Sequence, residues 1–173
     1  MPKINTIEDL INTLGTASSD RFAQIIQQIS ITEDNLQHFA TWVNEGYTRN
    51  CLMRSDDYEI ILLCWDKGAK TAIHGHGGEN CWVYQVSGTV EEIRYIQIND
   101  KLKESERLVL NPSQISFMHD RMGFHSIQNI SNHKAMTLHI YASPIDRCKV
   151  YNDEKDCFEI KTMSYDTERL VSN

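Results

Sequence analysis

The chain has 173 residues, 40% of them apolar, which is enough for one domain with a sizeable core. Its 24 acidic and 17 basic residues give a net charge of −7 with no basic run, which argues against nucleic acid or an anionic membrane surface as the main partner. Five cysteines, an odd number with no C-x-x-C pair, do not form a disulfide framework.

The first residues carry no apolar stretch before a small-residue cleavage site, and the longest apolar run, Ile60 to Trp65, is too short to span a bilayer. A soluble cytoplasmic protein with mostly free thiols is expected, and a monomer. No membrane or nucleic-acid partner is expected.

In chain order, Ile7, Leu10, Ile11 and Leu14 fall at helical spacing over 6–14, where Thr6 can cap the start and Gly15 the end. Phe22, Ile25, Ile26 and Ile29 repeat the pattern over 20–30, and Leu36, Phe39 and Val43 repeat it over 33–44 behind Thr32. Three short amphipathic helices are predicted, each needing a partner for its apolar stripe. From Tyr47 the texture becomes short β-type runs broken by Gly, Asn, Asp and Pro. Strands are predicted at 47–53, 58–65, 71–74, 80–86, 89–98, 106–110, 115–118, 125–130, 135–142, 147–152 and 157–163. That number of strands at hairpin-length spacing reads as a barrel or jelly roll. One domain is expected over 1–173: a helical cap over 1–46, a β-barrel over 47–165 and a C-terminal tail over 166–173.

At the centre lies His74-Gly75-His76. On an extended segment, residues two apart share a face, so two imidazoles would project into one space. Imidazole is the commonest protein metal ligand. A third can come from His125, which follows the bend at Gly123. His139 is another strand histidine, and Tyr141 shares its face. His38 and His133 read as solvated, and His119 adjoins Asp120 near a loop. Three imidazoles with an open position suit either zinc or iron chemistry, so these residues alone leave the metal open.

The spacing Gly68-x5-His74-x-His76-x4-Cys81-x6-Gly88, followed by His125-x3-Asn129, resembles the two cupin motifs, with Cys81 where the first normally has Glu. The implied fold is mainly β, a cupin-type β-barrel (jelly roll) with a small N-terminal α-helical cap. Tyr47-Thr48-Arg49-Asn50, Leu63-Cys64-Trp65, Ile73-His74-Gly75-His76 with Cys81, Gly123-Phe124-His125, Leu138-His139-Ile140-Tyr141, Asp146-x-Cys148 and Lys161-Thr162-Met163 together resemble the cysteine dioxygenase family across roughly 45–165.

That resemblance implies Fe(2+) held by His74, His76 and His125. L-cysteine would chelate it through thiolate and amine, with O2 at the remaining position and cysteine sulfinate as product, as in cysteine catabolism. It implies that Arg49 and Tyr47 bind the substrate carboxylate, since a guanidinium fork matches a carboxylate. It pairs Cys81 with Tyr141 in a thioether cross-link, and has His139 bonded to the Tyr141 hydroxyl, holding it toward substrate and O2. Thr137 stands where the family usually has Ser, and Ala142-Ser143-Pro144 replaces a Ser-Pro-Pro segment whose cis bond would fall at Ala142-Ser143. The alternatives are a 3-mercaptopropionate dioxygenase, which typically has Gln at the position of Arg49, a non-enzymatic metal- or anion-binding cupin, and a zinc hydrolase or isomerase using Glu79 as base.

Overall fold

The structure, a computed structural model, describes residues 2–99 and 101–168. Three short helices open the chain: α1 (Ile7–Gly15), α2 (Phe22–Ile26) and α3 (Glu33–Leu36). Thr6 caps α1 by accepting from the Asp9 amide at 3.1 Å, and Asn35 reaches back to the Thr32 amide at 3.0 Å to close a capping box on α3. The third helix is much shorter than the periodicity predicts. After a 3-10 turn at Gln37–Phe39, Ala40 is extended and Thr41 is drawn to the first strand. There its carbonyl accepts from Thr48 Oγ1 at 2.7 Å and its hydroxyl donates to Asn50 Oδ1 at 2.6 Å. Bonding to the sheet thus overrides a weak helical pattern in Thr41-Trp42-Val43, where Thr41 and Val43 are β-branched.

Among the described residues eleven strands follow: β1 (Tyr47–Arg54), β2 (Glu59–Trp65), β3 (Cys81–Ser87), β4 (Val90–Ile98), β5 (Lys101–Leu110), β6 (Ile115–Met118), β7 (Phe124–Asn129), β8 (Ala135–Tyr141), β9 (Arg147–Asn152), β10 (Cys157–Thr162) and β11 (Thr167–Glu168). One sheet runs β11-β1-β2-β8-β3-β6. The other is built from β5-β4-β7 and the hairpin β9-β10. Residues 69–75 join these two parts. Thr71 and His74 pair with β7, while Ile73 and Gly75 exchange bonds with Tyr151 and Lys149 on β9. The predicted strand at 71–74 is therefore a paired segment between β7 and β9 rather than a regular strand.

The two faces of the six-stranded sheet have different partners, and residue parity separates them. Ile60, Leu62, Cys64, Trp82, Tyr84, Met136, Leu138 and Ile140 pack against the helices. Ile61, Leu63, Trp65, Cys81, Val83 and Tyr141 pack instead with Val90, Leu110, Ile127 and Cys148 of the second sheet. Because both faces are covered, β2 and β8 are buried along their whole length. Two tyrosines on the helix side satisfy chain carbonyls: Tyr58 donates to Ile11 O at 3.0 Å and Tyr84 to Ile31 O at 3.1 Å. The architecture is mainly β, a jelly roll with a helical layer on one sheet. It places the odd-numbered inward residues of β2, β3 and β8 opposite residues 69–75 and β7.

Strand β5 begins at Lys101, five residues before its predicted start. Its first half is charged on both faces, so no apolar alternation marks it. It pairs with β4, and Arg107–Glu91 and Arg94–Glu106, each at 2.8 Å, bridge the two strands.

Candidate metal centre

His74, His76 and His125 converge. One ligating atom from each lies within 4.8 Å of the others. The His74 and His125 backbones exchange both hydrogen bonds, at 2.9 and 3.0 Å, which places their rings side by side with centroids 4.6 Å apart. The His76 ring stands 4.6 Å from that of His125 and 5.5 Å from that of His74. Two glycines permit this geometry. A Cβ on Gly75 would meet Asp120 Oδ1 at 3.0 Å, and a Cβ on Gly123, at φ 108°, would lie 2.1 Å from the Tyr95 carbonyl oxygen.

Each histidine is oriented through a different contact. His74 Nδ1 lies 2.9 Å from Ala72 O. His125 Nδ1 lies 3.0 Å from Oε1 of Glu92, a carboxylate with no exposed surface. Asp120 holds the backbone at His76, accepting from the amides of His76 at 2.5 Å and Gly78 at 2.8 Å. Both ring nitrogens of His76 and Nε2 of His125 are buried without a hydrogen-bond partner. Such orphaned nitrogens are uncommon in a folded interior. They fit a divalent cation with nitrogen ligands.

The electrostatics agree. Burial, then the neighbouring His125, holds His74 down at about 3. The same two causes, in the same order, hold His76 and His139 well below the usual histidine range. Neutral imidazoles have their lone pairs available. For Glu92, burial alone would raise the carboxyl, but the hydrogen bond and charge of His125 and the charge of Arg94 more than offset it and keep it at about 2. A fixed carboxylate behind a histidine sets its tautomer and increases its basicity as a ligand.

A cavity of about 150 Å³ opens on His74 and is also lined by Arg49, Tyr47, His139, Tyr141 and Lys161. A smaller void of about 20 Å³ connects His74 and His76 with Arg49 and Tyr141. Arg49 on β1 is held by its Nε, which donates to Ser164 O at 3.0 Å. Cys81 on β3 and Tyr141 on β8 occupy facing positions of adjacent strands, both buried. Burial first, and then the charge of Glu92, pushes the Cys81 thiol well up. Burial, then Cys81, does the same for the Tyr141 phenol. His139 Nε2 lies 3.0 Å from Thr137 Oγ1, which also accepts from Trp65 Nε1 at 2.9 Å. The His139 ring is thus held by the Thr137 hydroxyl, and the His139 and Tyr141 ring centroids are 6.3 Å apart. The described peptide bonds are all trans, that of Ala142-Ser143 among them.

His38 and His133 are exposed, as the sequence indicates, and His119 accepts from the Arg121 amide at 2.9 Å. Glu79 is not among the residues lining the cavity, and neither is any other carboxylate of the described residues. Sequence reasoning passed over Glu92 as a partner of His125, although Val90, Glu92 and Arg94 alternate on one face of a predicted strand. It also passed over Ser164, because a backbone carbonyl leaves no trace in a sequence pattern.

The jelly roll and its inward three-histidine cluster define a cupin with a candidate metal centre. The sequence pattern of the family described as cysteine dioxygenase type I matches residues 2–154. The chain belongs to the cysteine dioxygenase type I family. It is 26% identical over 162 residues to cysteine dioxygenase type 1 of Bos taurus, covering 87% of this chain and 80% of that one. With cysteine dioxygenase type 1 of Danio rerio it is 28% identical over 170 residues, covering 87% and 81%. Among solved structures, KdgF from Halomonas sp. matches with a TM-score of 0.50 at 18% identity, covering 65% of this chain and 92% of that one, a likeness of fold alone. Family and histidine cluster together point to a metal-dependent cupin thiol dioxygenase acting on a small molecule with O2. No helix of the described residues is long and apolar enough to cross a membrane.

Proposed function

We propose that this protein oxidises L-cysteine to cysteine sulfinate at an iron(II) centre held by His74, His76 and His125. The observation that carries this reading is the presence of Arg49 and His74 in one cavity of about 150 Å³ that, among the described residues, no carboxylate lines. A cavity of that volume in a protein interior holds a molecule the size of benzene, and L-cysteine is of the same order. With Arg49 and Lys161 as its charged lining groups, it favours a substrate with a carboxylate.

Arg49 takes the substrate carboxylate on its guanidinium, and Tyr47 lies on the same wall, two residues earlier on β1. The substrate's sulfur and amine are thereby directed toward the histidines. Iron(II) held by these histidines would activate O2 toward the substrate sulfur. Tyr141, kept protonated by burial, offers a hydroxyl donor on the cavity wall. Cys81 lies outside the cluster of His74, His76 and His125 and faces Tyr141 instead. Trp65, Thr137 and His139 form a bonded row that fixes the cavity floor next to Tyr141. Thiol to sulfinate gives up as many electrons as O2 takes up, so no separate reductant or organic cofactor is needed.

Labelled oxygen tests the reaction. Turnover of L-cysteine under 18O2 in ordinary water is expected to yield sulfinate carrying the label in both oxygens. Unlabelled or singly labelled sulfinate would contradict a dioxygenase.

A further inference from the structure

One buried polar group has no part in the chemistry above. Glu59 begins β2, is fully buried, and is the register partner of Tyr141 on β8. A buried carboxylate is costly unless it is paired and hydrogen-bonded. Glu59 Oε1 accepts from Arg54 Nη1 at 2.7 Å and from the Tyr165 hydroxyl. Arg54 continues through Nη2 to Asp146 Oδ1 at 2.6 Å. Burial, followed by the bond to Glu59, pushes the Tyr165 phenol up, so it remains a donor.

The residues on either side of Tyr165 hold Arg49. Ser164 O accepts from Arg49 Nε at 3.0 Å. Asp166 Oδ2 accepts from the Arg49 amide at 2.8 Å, and the Asp166 amide donates to Arg49 O at 2.8 Å. Thr167 Oγ1 donates to Asn50 Oδ1 at 2.7 Å, and Thr167 and Glu168 pair in parallel with Asn50 and Cys51. The described part of this pairing, Thr167 and Glu168, lies at the edge of the sheet. Tyr165 is the side chain of this stretch that reaches the buried carboxylate.

We propose that Tyr165 is a positioning residue for Arg49: by bonding to Glu59 and Arg54 it latches residues 164–168 against β1 and so fixes the guanidinium on the cavity wall. This inference rests on the reading of Arg49 as the group that binds the substrate carboxylate. The latch is built on the buried Glu59 carboxylate and the partly exposed Arg54, so losing the phenol hydroxyl weakens the grip on Arg49 from its main chain and its Nε together. Substrate binding then suffers, while the histidine cluster on the opposite sheet is untouched.

Tyr165→Phe keeps the ring volume and removes the hydroxyl. Hydrogen exchange read by mass spectrometry on the full-length, metal-loaded protein is expected to quicken in peptides covering 47–54 and 163–168 and to stay unchanged in β8. KM for L-cysteine should rise about fivefold, with kcat changed by less than about twofold. Glu59→Gln retains an acceptor for both partners and should move both readouts in the same direction by less. Unchanged exchange in Tyr165→Phe would overturn the latch. Quickened exchange with an unchanged KM, or a fall in kcat matching the rise in KM, would overturn its link to Arg49. If the unaltered protein fails to turn over L-cysteine, the proposed function falls, and the exchange data still decide whether the latch exists.

Discussion

Cys81 and Tyr141 face each other across β3 and β8, thiol against phenol, within the wall that also bears His139. Directly opposed residues of an antiparallel pair have Cβ atoms about 4.5–5.5 Å apart, within reach of a single bridging bond between side chains. A thioether between Cys81 Sγ and the Tyr141 ring, formed with loss of two hydrogens to O2 during turnover, is the expected modification. Peptides of turned-over enzyme spanning both residues should be linked and lighter by two hydrogens. Cys81→Ser should abolish the link and lower activity without ending it. Separate, unmodified peptides from active enzyme would refute the cross-link.

The bond between His125 and the buried Glu92 yields a second prediction. Glu92→Gln keeps the shape but lets the amide point either group at Nδ1, so the tautomer is no longer enforced and the anionic support is lost. Metal affinity should fall by roughly 10- to 100-fold, measured by competition with a chelator. Unchanged affinity would mean that the carboxylate does not tune the site.

Arg49 gives a prediction about substrates. Arg49→Gln replaces a charged fork by a neutral amide and should raise KM for L-cysteine far more than KM for 3-mercaptopropionate. The kinetics of both thiols, measured on one preparation, decide the matter. An equal effect on the two would separate Arg49 from the carboxylate.

The buried histidines set a pH dependence for the metal-free protein. His74 is held down at about 3, and His76 and His139 lie well below the usual range. In the unfolded chain each takes up a proton below about 6.5. The unfolded state therefore binds more protons, and stability falls as pH drops from about 6.5 toward about 3, by up to about 1.4 kcal/mol per pH unit for each group. Glu92, held at about 2, adds a loss of the same sign between about 4.5 and about 2. Urea midpoints at several pH values should decline from pH 6.5 downward, and a flat profile between 6.5 and 5 would contradict burial of neutral imidazoles.

Much of this arrangement is legible in the sequence because the barrel enforces parity. His74 and His76 two apart, His125 just after a glycine, and His139 two before Tyr141 each signal a shared inward face. The β-type runs of β1, β2, β3, β8, β9 and β10 are bounded within a residue or two because apolar runs end at turn residues. Elements that rely on partners rather than on their own pattern are not legible. The first half of β5 is charged on both faces and is held by ion pairs to β4. The stretch Ala40-Thr41-Trp42-Val43 leaves its helix for side-chain bonds with Thr48 and Asn50. Ser164 to Glu168, read as the end of the barrel and a tail, joins the sheet through contacts with residues more than a hundred positions away. Glu92 carries no sequence signal of its own role, and its burial becomes visible only when His125 is placed beside it.

Oxygen uptake by the iron(II)-loaded protein, with L-cysteine and 3-mercaptopropionate side by side and sulfinate quantified, tests the central claim most directly. The account predicts cysteine sulfinate in amounts matching the O2 consumed, with 3-mercaptopropionate the poorer substrate. Turnover of 3-mercaptopropionate alone would overturn the role given to Arg49, and no uptake with either thiol, in protein shown to hold iron, would contradict the dioxygenase reading itself.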